Sequence, residues 1–215
     1  MNKERLVREI LYRLKTQGLP SHEQERKDGV KPGFREVTGD ERVLITLDGP
    51  CASGKTTLAR KLAQAFEGAV VHTDDFVIPH NQKTVERLAV PGGNCDAERL
   101  VHEVAAPFKN GCPVRYRRYD CMTDTLLPEE LLPPVRVLIL EGSYCNLPEI
   151  RKYADVRLFL DAPWEVRKAR LLERESPDSM RQFLNRWIPL ENAYFAAFHL
   201  PDEGCVTIDG GDTVF

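Results

Sequence analysis

Eight consecutive residues, Gly49-Pro50-Cys51-Ala52-Ser53-Gly54-Lys55-Thr56, have the spacing G-x-x-x-x-G-K-[ST]. Each residue type has a chemical reason. Glycines let backbone amides wrap closely around phosphate oxygens, a following helix N-terminus attracts the anion, and Lys55 reaches the terminal phosphates. The Thr56 hydroxyl can ligate Mg²⁺, and Thr57 completes the expected ATP-binding stretch. The apolar run Val43 to Leu47 before the loop and the pattern Leu58, Leu62, Phe66 after it supply the strand-loop-helix context that this spacing requires.

Two further apolar runs end in carboxylates: Val70-Val71-His72-Thr73-Asp74-Asp75-Phe76 and Val137-Leu138-Ile139-Leu140-Glu141-Gly142. Strand ends are where open α/β sheets bind ligands. There a carboxylate can hold Mg²⁺ or its waters, or accept the proton of an attacking hydroxyl. Asp74 is the candidate base and a possible metal contact, and Glu141 joins Thr56 as a metal candidate. The plainer alternatives are a helix cap for Asp75 and a solvated loop acid for Glu141. No N-K-x-D guanine signature follows a later strand, so the sequence favours an adenine nucleotide, and ATP is the expected donor.

A third cluster is arginine. At 100° per residue, Arg167, Arg170 and Arg174 share one helical face, with Val166, Ala169 and Leu172 opposite. Planar guanidinium forks suit a transferring phosphoryl group, which makes Arg167 and Arg170 catalytic candidates and Arg174 an ATP contact. Glu165, Glu173 and Glu175 on the same helix leave open an ion-paired, solvated face. Arg181 and Arg186 are further candidates.

The elements that must position these groups alternate. Strands are expected at Val43 to Leu47, Ala69 to His72, Val135 to Leu140, Val156 to Leu160 and Val206 to Ile208. Helices are expected at Gly54 to Phe66, Asp96 to Lys109 and Pro163 to Glu175, and two late helices at Ser179 to Trp187 and Leu190 to Phe198, split by Pro189. Such alternation predicts an α/β fold: a mainly parallel five-stranded sheet in a three-layer α/β/α arrangement, with a helical lid. Residues 1–40 read as an N-terminal helix, over residues 2–17, and a polar connector. Residues 41–215 read as the nucleotide-binding domain.

The 215 residues carry 30 Lys plus Arg against 33 Asp plus Glu, a formal charge of −3, which excludes a general nucleic-acid or anionic-membrane binder. With 42% hydrophobic and 29% charged residues the chain is neither disordered nor collagen-like. No apolar run approaches the roughly 20 residues of a membrane helix, and no secretory signal opens the chain, so a cytoplasmic protein is expected. Six cysteines with no C-x-x-C pair argue against a zinc site and for reduced thiols.

Taken in order, the phosphate loop, Thr73-Asp74-Asp75-Phe76, Asn94-Cys95-Asp96, Tyr119-Asp120, Glu141-Gly142 and the arginine helix resemble the uridine kinase-like branch of P-loop nucleoside kinases, from about Val43 to Gly210. The resemblance implies the P-loop NTPase fold and transfer of the γ-phosphoryl group of ATP, with Mg²⁺, to a nucleoside 5′-hydroxyl. It implies Asp74 as base, Asp96 as the grip on the ribose hydroxyls, Tyr119 as a contact to the nucleobase and the three arginines as lid residues. A cap for the following helix is the other reading of Asp96. Uridine-cytidine kinases carry Y-D-F-x-x-H-x-R where this chain has Tyr119-Asp120-Cys121-Met122-Thr123-Asp124-Thr125-Leu126. Asp124 is therefore a substrate-site candidate of different character. Two alternatives stay open: a kinase of another small metabolite, such as a nicotinamide riboside-like or pantothenate-like acceptor, and a nucleotide-binding regulatory protein. The expected partner is a small-molecule acceptor, with no nucleic acid or membrane, and with homo-oligomerisation left open.

Overall fold

A computed structural model describes residues 42–211. The helix expected over residues 2–17 and its connector lie outside the described residues. Five strands form one sheet: β1 (Val43–Asp48), β2 (Ala69–His72), β7 (Val137–Glu141), β8 (Val156–Asp161) and β9 (Cys205–Asp209), in the order β2-β7-β1-β8-β9. Every pairing is parallel, with Ile45 opposite both Ile139 and Val156. The five expected strands are all present, and the third runs on to Glu141.

Side chains alternate across the pleat, so β1 feeds two cores. Val43, Ile45 and Leu47 pack with Leu58, Ala59 and Leu62 of α1 (Lys55–Phe66). Leu44 faces the other way, into a cluster with Leu100, Val104 and Phe108 of α3, a continuous helix over residues 97–109. Each fully buried leucine contributes about 1.5–3 kcal/mol, and together the two clusters clamp the sheet as the middle of three layers.

Between α1 and α3 lie a 3-10 turn (Thr73–Phe76) and the short α2 (Val85–Ala89). Two minimal antiparallel ribbons follow α3. They pair β3 (Arg115–Tyr116) with β6 (Glu130–Leu131) and β4 (Tyr119–Asp120) with β5 (Thr125–Leu126). A single turn, α4 (Pro148–Arg151), leads into β8, and α5 (Trp164–Arg174) and α6 (residues 177–197) cover the sheet's carboxyl edge.

Pro189 does not split α6, contrary to the sequence expectation. Phe183–Trp187 form a π turn in which the Ile188 N–H bonds five residues back, to Phe183 O. Proline lacks an N–H and its ring collides with the carbonyl four residues earlier, so widening the preceding turn lets the helix run on. α3 does the same at Val101–Ala105, directly before Ala106 and Pro107. Among the described residues, no helix is long and apolar enough to cross a membrane.

Candidate active site

The sheet's carboxyl ends open into a cleft of about 810 Å³ lined by Lys55, Thr56, Asp74, Glu141, Arg170 and Arg174, with α6 contributing Phe183, Arg186, Trp187 and Glu191. Gly49 follows β1 directly, at φ +137°. A β-carbon there would sit 2.2 Å from Leu160 O, so both the backbone conformation and the approach of β8 require glycine. Gly54 and Ala52 are left-handed too, at φ 104° and 59°. The loop curls back so that Lys55 Nζ donates to Gly49 O at 2.8 Å and Pro50 O at 2.9 Å. Ser53 Oγ is buried with no hydrogen-bond partner among the described residues. A curled loop with an orphaned hydroxyl at the head of a helix fits a phosphate group.

Beside the loop, Glu141 Oε1 accepts from Thr56 Oγ1 at 2.9 Å and meets His72 Nδ1 at 2.5 Å. Burial pushes the Glu141 carboxyl up, but its bond to His72, the His72 and Lys55 charges and the Thr56 bond outweigh burial and hold it below its ordinary value. Asp74 shifts the other way. Its side chain opens to the cleft, yet the surrounding protein desolvates it, and Glu141 and Glu191 add to the rise that Lys55 opposes. Two neighbouring carboxylates are thus set apart, Glu141 held ionised and Asp74 raised toward proton affinity, a division suited to metal binding and base chemistry respectively. A hydroxyl and a carboxylate in contact, with a second carboxylate on the same cleft, are hard oxygen donors that suit Mg²⁺, which usually takes one or two protein carboxylates alongside substrate phosphates.

A buried network that the motif reading missed holds the loop from behind. Glu191 accepts the Cys51 N–H at 3.0 Å and the Ser143 hydroxyl at 2.5 Å. Asp48, fully buried at the end of β1, accepts from Gly49 N at 2.7 Å, Tyr194 Oη at 2.7 Å and Asn146 N at 3.0 Å. Burial dominates these bonds and raises the Asp48 carboxyl to about 6. Asp48 had a legible signal, since a carboxylate directly before the first loop glycine is poorly placed for a sheet interior. Glu191 had none, because the Ile188–Ala197 stretch of α6 shows almost no amphipathic periodicity.

The arginine helix is rotated relative to the sequence expectation. Leu172 is 60% exposed and Ala169 is exposed, while Leu171 is buried. Arg167 and Arg170 turn toward the loop, whose carbonyls give their guanidiniums partners. Arg170 donates to Ala52 O at 3.1 Å, Ser53 O at 3.0 Å and Gly210 O at 3.0 Å. Arg167 donates to Ala162 O at 3.0 Å, stacks on Trp164 and does not line the cleft. Arg174 lines it, with its Nε on Glu175 at 2.8 Å.

Three acceptor-site candidates lie outside the lining. Asp96 caps α3, accepting from Arg99 N at 3.0 Å and Arg99 Nε at 3.2 Å. Tyr119 Oη donates to Asp124, which also accepts the His80 N–H at 2.9 Å. Neighbours of Asp124 do reach the cleft: His80, Lys83, Cys121 and Met122, together with Asn94 and Tyr144.

The model of the Phosphoribulokinase / Uridine kinase family matches residues 44–181. The chain belongs to that family. Among curated members, it is 28% identical over 187 residues to uridine kinase-like protein 3 of Arabidopsis thaliana, covering 79% of this chain and 40% of that protein. It is 25% identical over 157 residues to the chloroplastic phosphoribulokinase of the same plant, covering 63% and 40%. It is also 25% identical over 137 residues to the uridine kinase of Borrelia duttonii (strain Ly), covering 61% and 66%. The chain thus spans about 40% of the length of the first two of these relatives. Among solved structures, a possible uridine kinase from Bacillus stearothermophilus superposes with a TM-score of 0.58 at 22% identity, over 80% of this chain and 91% of that one. A protein assigned as a fructose transport system kinase, from Silicibacter sp. TM1040, superposes at 0.63 and 23%, over 91% and 95%. Both confirm the P-loop kinase fold in this family member.

Proposed function

We propose that the chain transfers the γ-phosphoryl group of ATP to a hydroxyl of a small acceptor, with a nucleoside 5′-hydroxyl as the acceptor that family membership supports. The observation that carries this reading is the convergence of Lys55, Thr56, Asp74 and Glu141 on one cleft at the carboxyl ends of a parallel sheet. Lys55 and the loop amides bind the phosphates, and Thr56 and Glu141 would hold Mg²⁺, which shields phosphate charge when bound. Arg170 fixes the loop through its carbonyls, Arg174 faces the phosphates from α5, and Asp74 orients the acceptor and takes its proton.

A specific observation favours a second acceptor class. Asp96 is engaged as a helix cap, and Tyr119 and Asp124 bond each other, so the residues that would grip a nucleoside are committed elsewhere. A metabolite other than a pyrimidine nucleoside fits that arrangement better. Acceptor-dependent ADP formation across uridine, cytidine, nicotinamide riboside, pantothenate and polyols tests both readings. Uridine or cytidine as best acceptor supports the first, another compound the second, and no acceptor-dependent turnover removes the kinase reading.

A further inference from the structure

The turn Thr73–Phe76, which carries Asp74, is a single 3-10 turn with no side-chain cap at His72. Hydrogen-bond geometry in such a turn is poor, so the aim of Asp74 depends on what grips the turn from outside. Its start is anchored where Thr73 Oγ1 donates to Ser143 O at 2.9 Å. Its end is held by Arg99 of α3. Arg99 Nη2 donates to Asp75 O at 3.0 Å, and the guanidinium lies 4.4 Å from the centroid of the fully buried Phe76 ring.

The same guanidinium reaches the ribbon. Arg99 Nη1 donates to Arg117 O at 2.5 Å and to Glu103 Oε2 at 3.3 Å, and that Glu103 oxygen accepts the Arg117 N–H at 3.0 Å. Arg117 leads into β4, and the connection from β4 to β5 places Cys121 and Met122 on the cleft. Asp96 closes the assembly. Its carboxylate accepts from Arg99 N and Nε, while its own N–H donates to Phe76 O at 2.6 Å.

The Arg99 side chain is only 13% exposed and does not line the cleft. It can therefore act on a bound molecule only through the segments it grips. An ion pair with Asp96 alone would suffice to secure the start of α3, and a lysine could supply it. Bonding Asp75 O and Arg117 O at once, with the face laid on Phe76, takes the planar fork of an arginine.

We propose that Arg99 is a positioning residue that sets the Asp74 turn and the β4–β5 ribbon as one unit, independently of the phosphate loop. The inference rests on the kinase reading above, with Asp74 as base, and adds to it the group that aims that base. It also gives Asp96 a duty: its carboxylate orients Arg99.

Arg99→Lys keeps a positive charge beside Asp96 and Glu103, which protects folding, but removes the fork. Amide hydrogen exchange of the full chain, saturated with Mg²⁺ and a non-hydrolysable ATP analogue, reads the grip without turnover. Exchange should quicken about tenfold or more over residues 73–78 and 117–126 and stay within about twofold over residues 43–66. In steady state, with the best acceptor of the panel above, kcat should fall about 10- to 100-fold and the acceptor KM should rise several-fold, with ATP affinity within about twofold of wild type. In an Asp74→Asn background the same substitution should lower kcat less than about threefold, because no base is left to aim. Asp96→Asn, which keeps the helix cap and loosens only the hold on Arg99, should reproduce the fall in kcat more weakly.

Unchanged exchange in both segments, a kcat loss just as large in the Asp74→Asn background, or a loss of ATP affinity equal to the loss of kcat overturns the proposal. If Asp74→Asn by itself leaves kcat intact, the base reading falls, and the acceptor KM with the exchange over residues 117–126 decides whether Arg99 positions the ribbon. If no acceptor is turned over, the kinase reading falls, and exchange alone decides whether Arg99 sets the two segments as one unit.

Discussion

The Glu191 carboxylate, from α6, accepts the backbone N–H of Cys51 at 3.0 Å across 140 positions of sequence, and its other oxygen accepts the Ser143 hydroxyl. A buried carboxylate is thereby satisfied by one amide and one hydroxyl, and α6 is tied to the phosphate loop. Removing it orphans both donors. Glu191→Ala should cost about 1–3 kcal/mol in urea unfolding and raise the KM for ATP several-fold. Glu191→Gln keeps an acceptor for Cys51, so it should recover most of both losses.

Asp74 offers a test that separates chemistry from binding. A general base contributes about 10² to 10⁴ in rate, so Asp74→Asn should lower kcat by that order while ATP affinity, read by titration, stays within about twofold. A general base works deprotonated, and the surroundings of Asp74, the proposed base, raise its carboxyl above 3.8. The rate should therefore climb with pH on an acid limb lying above the ordinary carboxylate range. That limb should be absent in the asparagine variant.

Arg170 spans three carbonyls with two nitrogens, a geometry an ammonium on a flexible stem does not reproduce. Arg170→Lys keeps the charge but loses the span. A raised KM for ATP, with a smaller effect on the KM for the acceptor, is the expected signature in steady-state kinetics. Equal loss toward both substrates would mean that Arg170 acts on the transferring group rather than through the loop.

Gly49→Ala tests the close approach of β8 to the loop. The new β-carbon would meet a strand carbonyl at 2.2 Å, at a φ of +137° that side chains rarely adopt. Neither partner is a flexible side chain. The substitution should cost at least about 2 kcal/mol by thermal or urea unfolding, with loss of ATP binding in whatever fraction folds.

The legible parts of this molecule are those written in local periodicity. Val137 to Leu140 is a continuous apolar run and Val43 to Leu47 is broken only by Thr46, a pattern that suits a strand covered on both faces, and Gly49 to Thr56 encode their own loop conformation. The ribbons at 115–131 were not legible, because strands of two residues carry no period. The rotation of α5 was hidden for a different reason. Helical spacing separates two faces but does not say which turns inward, and here Leu171 is the buried residue while loop carbonyls hold Arg167 and Arg170 half-buried. Pro189 misled because a proline reads locally as a break, whereas the π turn that absorbs it appears only in the backbone.

His72 and Glu141 make stability depend on pH in a definite window. The bond and charge of Glu141 raise His72 above 6.5 against the pull of burial, with Asp75 and Asp74 adding smaller contributions. Stability from the histidine is then fully present below 6.5 and is lost as pH rises through its folded pKa. The Glu141 carboxyl is depressed below 4.5, so its contribution is present above 4.5 and is lost as pH falls through its folded value. The pair contributes most between the two. Glutamine at position 72 can still donate to Glu141 but cannot take up the charge. The gap in urea midpoint between the wild type and His72→Gln should therefore be widest between pH 4.5 and 6.5 and narrow as pH rises through the folded pKa of His72. A gap independent of pH would show that the histidine acts there through its shape and neutral hydrogen bond alone.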